Sequence, residues 1–85
     1  MVIQVNSGKK YVVDCRHLKS PKPLMIVRDK LEKLSKGDQL QILITDPQCE
    51  EVIPLYMDSL GHKLIRKEKL YENDYECIIL EFIID

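Results

Sequence analysis

Apolar residues along the chain follow two different spacings, and the switches between them mark the elements. Residues 10–15, with Tyr11, Val12 and Val13, predict a strand in which Tyr11, Val13 and Cys15 share one face. From Leu24 the spacing lengthens. Leu24, Val27, Leu31 and Leu34 recur every three or four residues as one stripe of an amphipathic helix, with Arg28, Asp29, Glu32 and Lys33 on the wet side. Ser20-Pro21 reads as the start of that helix: a serine oxygen caps free helical N–H groups, and proline suits a first position that needs no N–H. Ser35-Lys36-Gly37-Asp38 ends it, with Gly37 as the expected C-terminal cap. Residues 40–45 are rich in Ile and Leu on both faces, as a central strand requires. Asp46-Pro47 repeats the cap-then-proline signal, and Cys49, Val52, Ile53, Tyr56, Met57 and Leu60 form a second helical stripe that Gly61 closes. Pro54 falls inside that stripe, so a kink is expected there, or a short turn before a main helix that begins near Pro54. Residues 62–70 form a lysine-rich strand suited to a sheet edge, Glu72-Asn73-Asp74 is a turn, and residues 75–84 are a fourth strand. The apolar opening, residues 1–5 before the turn signal Asn6-Ser7-Gly8, reads as a short strand or flap.

The order β-α-β-α-β-β predicts an α+β fold: a two-layer sandwich with a four-stranded mixed sheet and two helices on one face, joined by right-handed crossovers. At 85 residues the chain is one domain, 1–85, with too little core to hollow out a deep cavity. A shallow surface site is expected.

Charge and cysteine usage narrow the function. Thirteen Lys and Arg against fourteen Asp and Glu give a net charge of −1, which disfavours nucleic acid as a partner attracted by bulk charge. No apolar run is long enough to span a membrane, and the first residues lack the basic head and long apolar segment of a secretory signal, so a cytoplasmic protein is expected. Cys15, Cys49 and Cys77 are odd in number, and with His17 and His62 they show no C-x-x-C or H-x-x-x-H spacing. Reduced thiols follow, and neither a metal nor a cofactor is implied.

In a β-α unit the helix begins where the strand ends, and open sheets place ligands at that edge. Residues 16–22 and 46–50 are therefore the segments where chemistry belongs. The first carries Arg16, His17, Lys19 and Lys22 and no acid, a composition that suits an acidic partner surface or a phosphate. Ser20 is read as a helix cap rather than a nucleophile, because no histidine–acid pair is visible to activate it. Cys49, near the start of the second helix, is either a thiol activated by the helix terminus or a small buried hydrophobe on the apolar stripe. Cys15 and Cys77 are read as core.

The run Val13-Asp14-Cys15-Arg16-His17-Leu18-Lys19-Ser20-Pro21-Lys22-Pro23-Leu24 resembles the signature of the TusA/SirA sulfur-carrier family, Asp-x-Arg-Gly-Leu-x-Cys-Pro-x-Pro before an amphipathic helix. Asp14, Arg16, Leu18, Pro21 and Pro23 match in register, and Gly37-Asp38, Asp46-Pro47, Ile53-Pro54 and Gly61-His62 fall where the family has comparable pairs. The resemblance spans about residues 10–84 and implies a cytosolic protein that carries sulfur as a cysteine persulfide, received from a desulfurase or another sulfurtransferase. Two positions depart from the signature: Ser20 stands at the family cysteine and His17 at the family glycine. A serine hydroxyl forms no persulfide, and glycine reaches left-handed backbone more easily than histidine. The resemblance therefore implies a protein-binding or regulatory module that docks sulfur-relay partners through Arg16, His17, Lys19, Pro21, Lys22 and Pro23. The alternatives are a carrier that uses a displaced thiol such as Cys49, and an RNA or anion binder that uses the basic 16–22 loop.

Overall fold

The computed structural model describes residues 8–85, so the strand or flap expected at residues 1–5 lies outside the described residues. Its elements are β1 (Lys10–Cys15), α1 (Lys22–Leu31), β2 (Gln39–Ile44), α2 (Pro47–Ser59), β3 (Lys63–Glu72) and β4 (Tyr75–Ile83). They form the expected α+β sandwich, with strands in the order β1-β2-β4-β3. β1 and β2 are parallel, and β4 is antiparallel to both β2 and β3.

Side-chain alternation fixes the layers. On the helix side, Leu40, Ile42 and Ile44 of β2 stand opposite Phe82, Leu80 and Ile78 of β4, and Val13 and Cys15 of β1 stand opposite Ile42 and Ile44. Val27 of α1 and Cys49, Ile53 and Met57 of α2 close over them as one buried cluster. A slip of one residue would turn every one of these strand side chains to the outer face, so the burial pattern itself pins the register.

Both helix ends of α2 follow the sequence. Asp46 is the N-cap and Pro47 the first helical residue. At the other end Gly61, at φ +87°, donates its N–H to Asp58 O, and His62 donates to Met57 O, the paired bonds of a glycine-terminated helix. α2 runs unbroken through Pro54, so no separate helix begins there. Leu60, placed on the core stripe by its spacing, is half-exposed just past the helix end.

α1 differs at both ends. Pro21, not Ser20, occupies the N-cap position, and no side chain caps it. The helix stops at Leu31, one turn before the stripe does, and Leu34 reaches the core from a following tight turn. Gly37, at φ +95°, therefore shapes the turn into β2 rather than capping the helix.

That turn is clasped by Asp38, a carboxylate only 5% exposed. Its Oδ1 accepts from Lys9 N–H (3.0 Å) and its Oδ2 from Ser35 N–H (2.7 Å). Its carbonyl accepts from Ile84 N–H (2.8 Å), while Gly37 N–H donates to Ile84 O (2.7 Å). The start of β1, the α1–β2 turn and the end of β4 are joined at one point.

Candidate functional site

Parallel pairing of Cys15 with Ile44 ends β1 and β2 side by side, so the loops leaving them meet at one edge of the sheet. Asp46 ties them together. One oxygen, Oδ1, caps α2 by accepting from Gln48 N–H at 3.0 Å. The other, Oδ2, accepts from Ser20 N–H at 2.7 Å, across 26 residues of chain. The two N–H donors hold the carboxyl below its usual range, against the opposing effect of burial.

Ser20 lies half-buried in an open cleft of about 420 Å³ whose wall also includes His17, Lys19, Thr45, Asp46 and Gln48. Its capping role fails for a local reason. Pro21 and Pro23 have no N–H, and the N–H of Lys22 is already taken by Lys19 O at 2.9 Å. The nearby Cys49 thiol donates to Asp46 Oδ2 at 3.9 Å.

His17 takes the left-handed conformation, φ 69°, that the loop demands. Its N–H donates to Thr45 Oγ1 at 2.8 Å, and its ring meets Tyr75 edge-on, centroids 4.7 Å apart. The loop thus keeps a glycine-like turn without glycine. His17→Gly removes a left-handed cost of about 1–2 kcal/mol and a ring contact of about 0.5–1.5 kcal/mol. The two changes offset, and chemical denaturation of this variant is expected to give a stability within about 1 kcal/mol of the parent.

Arg16 is engaged within the fold. Its guanidinium grips Asp14 with two bonds, Nε to Oδ1 at 2.9 Å and Nη2 to Oδ2 at 2.8 Å, and Nη1 lies 3.5 Å from Glu72 Oε1 on the β3–β4 hairpin. Hydrogen bonding from Arg16 lowers the Asp14 carboxyl to about 2. The 16–22 segment contains no acid, yet the fold brings Asp14, Asp46 and Glu72 to it. Among the described residues neither Lys19 nor Lys22 forms an ion pair, so these two remain as the cations the edge presents.

These carboxylates set an acid limit on stability. Asp14, Asp38, Asp46 and Glu50 all have folded-state values below their unfolded ones. The unfolded chain therefore binds protons first as pH falls. Stability is expected to be full above about pH 5 and to decline steadily toward pH 2, measured by urea unfolding at a series of pH values.

All three thiols are buried. Cys49 is 1% exposed, and burial, then the nearby Asp46 charge, push its thiol up to about 11; the Ser20 hydroxyl opposes them. Cys15 and Cys77 are also buried and are raised by burial. Pro23 is buried against the core, while Pro21 and Lys22 are exposed. Thr45, Gln48, Tyr75 and Glu72 join the site without having been singled out in the sequence. The aspartate-to-Ser20 link carries no local signal, because its two ends meet only through parallel strand pairing.

The family model described as Sulfurtransferase TusA matches residues 11–81, from the second residue of β1 into the last strand, β4. The chain belongs to the TusA family. Among relatives, the sulfur carrier protein TusA of Buchnera aphidicola subsp. Baizongia pistaciae is 36% identical over 64 residues, covering 72% of this chain and 81% of its own. The sulfur carrier protein TusA of Pseudomonas paraeruginosa is 31% identical over 58 residues, covering 68% and 73%. The TusA match takes in both loops of the cleft and both helices. Among the described residues no helix is long and apolar enough to cross a membrane.

Proposed function

We propose that this TusA-family chain is a protein-binding module of a sulfur relay that docks sulfur-transfer partners through its cleft edge and carries no sulfur itself. Sulfur passes between carriers when an acceptor thiolate attacks the terminal sulfur of a donor persulfide. A new S–S bond forms, the donor's S–S bond breaks, and the donor cysteine leaves as a thiolate, with no net oxidation. The acceptor must be an exposed thiol with an accessible thiolate. The observation that carries the reading is that the cleft presents the Ser20 hydroxyl, while the nearest thiol, Cys49, is buried and shifted to about 11. At pH 7 that leaves about one thiolate in ten thousand, behind a wall of packed side chains.

What the edge keeps is a docking surface. Lys19 and Lys22 project from it, Pro21 is exposed beside them, and the Asp46 and Thr45 bonds hold the loop in one shape. A partner built for a sulfur carrier can then be occupied without being discharged. The test is intact-mass spectrometry after incubation with a cysteine desulfurase and cysteine, together with a competition in which this chain is added to a desulfurase loading a TusA-family carrier. The expected results are no sulfur adduct on any residue and slower loading of the carrier. An adduct that survives Cys15→Ala and disappears in Cys49→Ala would overturn the reading in favour of a displaced-thiol carrier.

A further inference from the structure

The β3–β4 hairpin runs on past the strands beside it. β4 pairs with β2 only from Ile78 onward, so residues 75–77 and their β3 partners extend about 10 Å beyond the end of β2, on the cleft side. Asn73, at φ 55°, turns the chain at the tip, and Glu72 and Tyr75 face each other as the closing pair below it. That one pair reaches two consecutive residues of the loop after β1. Glu72 lies 3.5 Å from Arg16, and Tyr75 meets the ring of His17 edge-on, centroids 4.7 Å apart.

The two contacts are unequal. The ion pair is exposed on both sides, and Arg16 is already gripped by Asp14, so Glu72 adds little. The ring contact falls on the one residue of the 16–22 loop in the left-handed region. His17 stands there at φ 69°, a conformation that disfavours a side chain, at the position where the family signature has glycine. The rest of the loop depends on that conformation. His17 N–H is fixed by Thr45 Oγ1 at 2.8 Å, and three residues on, Ser20 N–H is fixed by Asp46 at 2.7 Å. Were residue 17 to leave the left-handed region, the chain would depart in another direction and Ser20 would lose Asp46. A glycine adopts this turn without help. A histidine needs a partner, and the Tyr75 ring, delivered by the overhanging hairpin, is the group that meets it.

We propose that Tyr75 is a positioning residue for the cleft edge: through His17 it holds residues 17–20 in the shape that a docking partner meets, doing what glycine does in the family signature. The role rests on the docking reading above and adds the hairpin tip to that site. His17 and Tyr75 then act as one unit, so the effect of losing the tyrosine ring depends on which residue stands at 17.

The test is a double-mutant cycle on the full chain with Tyr75→Thr, His17→Gly and both changes together. Threonine removes the ring and suits a strand, so the hairpin should keep its pairing, checked by hydrogen exchange of the β3 and β4 amides. In Tyr75→Thr the His17 and Ser20 amides are expected to exchange about three- to tenfold faster than in the parent. The concentration of this chain that halves desulfurase loading of a TusA-family carrier should rise by about the same three- to tenfold. Tyr75→Phe, which keeps the ring, should restore both. In the His17→Gly background the ring has nothing to brace, so adding Tyr75→Thr should change either readout by less than about twofold. An equal loss in both backgrounds, or unchanged exchange at residues 17 and 20 in Tyr75→Thr, would overturn the proposal and leave the docking reading intact. A parent that fails to slow loading at all would overturn the docking reading instead, and this role with it.

Discussion

Ser20→Cys is expected to turn a chain that takes up no sulfur into one that carries a single sulfur atom. The position already has what a carrier thiol requires apart from the element itself. Its backbone N–H is fixed by Asp46 at 2.7 Å, its side chain lies in the cleft wall, and Lys19 and Lys22 stand near it as cations. Nearby cations and a helix start favour a thiolate, while the Asp46 carboxylate opposes one, so a thiol here ionises more readily than buried Cys49. After incubation with a desulfurase and cysteine, intact mass should show one added sulfur on the variant, removable by a reductant, and none on the parent. A variant that stays unmodified while a TusA-family control is loaded would mean that the edge no longer docks the donor, and the proposed function would fall with it.

Asp46→Ala is expected to cost about 2–4 kcal/mol. Losing an N-cap carboxylate costs about 0.5–2 kcal/mol, and leaving the half-buried Ser20 N–H without an acceptor adds about 1–3 kcal/mol. In a domain of this size that lowers the melting temperature by roughly 10–25 °C. Asp46→Asn keeps an oxygen for capping but loses the charge, so its loss should be smaller, about 1 kcal/mol. Hydrogen exchange separates the two effects. In the alanine variant the amides of residues 17–20 should exchange much faster, whereas those of β2 and β4 should follow only the global stability. Equal protection of that loop in parent and variant would show that Asp46 does not hold it.

Most of the fold was legible because hydrophobic spacing and burial agree. Tyr11, Val13 and Cys15, the Leu40–Ile42–Ile44 face and the Val52-to-Met57 stripe are governed by the same alternation that packs them. Helix α1 was less legible at its ends. Serine before proline is a start signal only when an unclaimed N–H lies within reach, and the double proline with the Lys22–Lys19 turn leaves none. Leu34 keeps its place in the stripe while the backbone has already turned, since Asp38 claims the Ser35 N–H. The candidate site was half legible. The strand-to-helix loops were found from topology, and Ser20 and Cys49 from residue type. That Arg16 also reaches Glu72, and that His17 leans on Tyr75, depends on a hairpin more than fifty residues away in the chain, which no local pattern announces.

Because Lys9 and Ile84 bond to the same aspartate, β1 begins and β4 ends close together, on either side of β2, at the pole away from the cleft. An affinity handle or a fusion joined after Asp85 leaves from that pole, so immobilised protein should present the cleft edge to the solution.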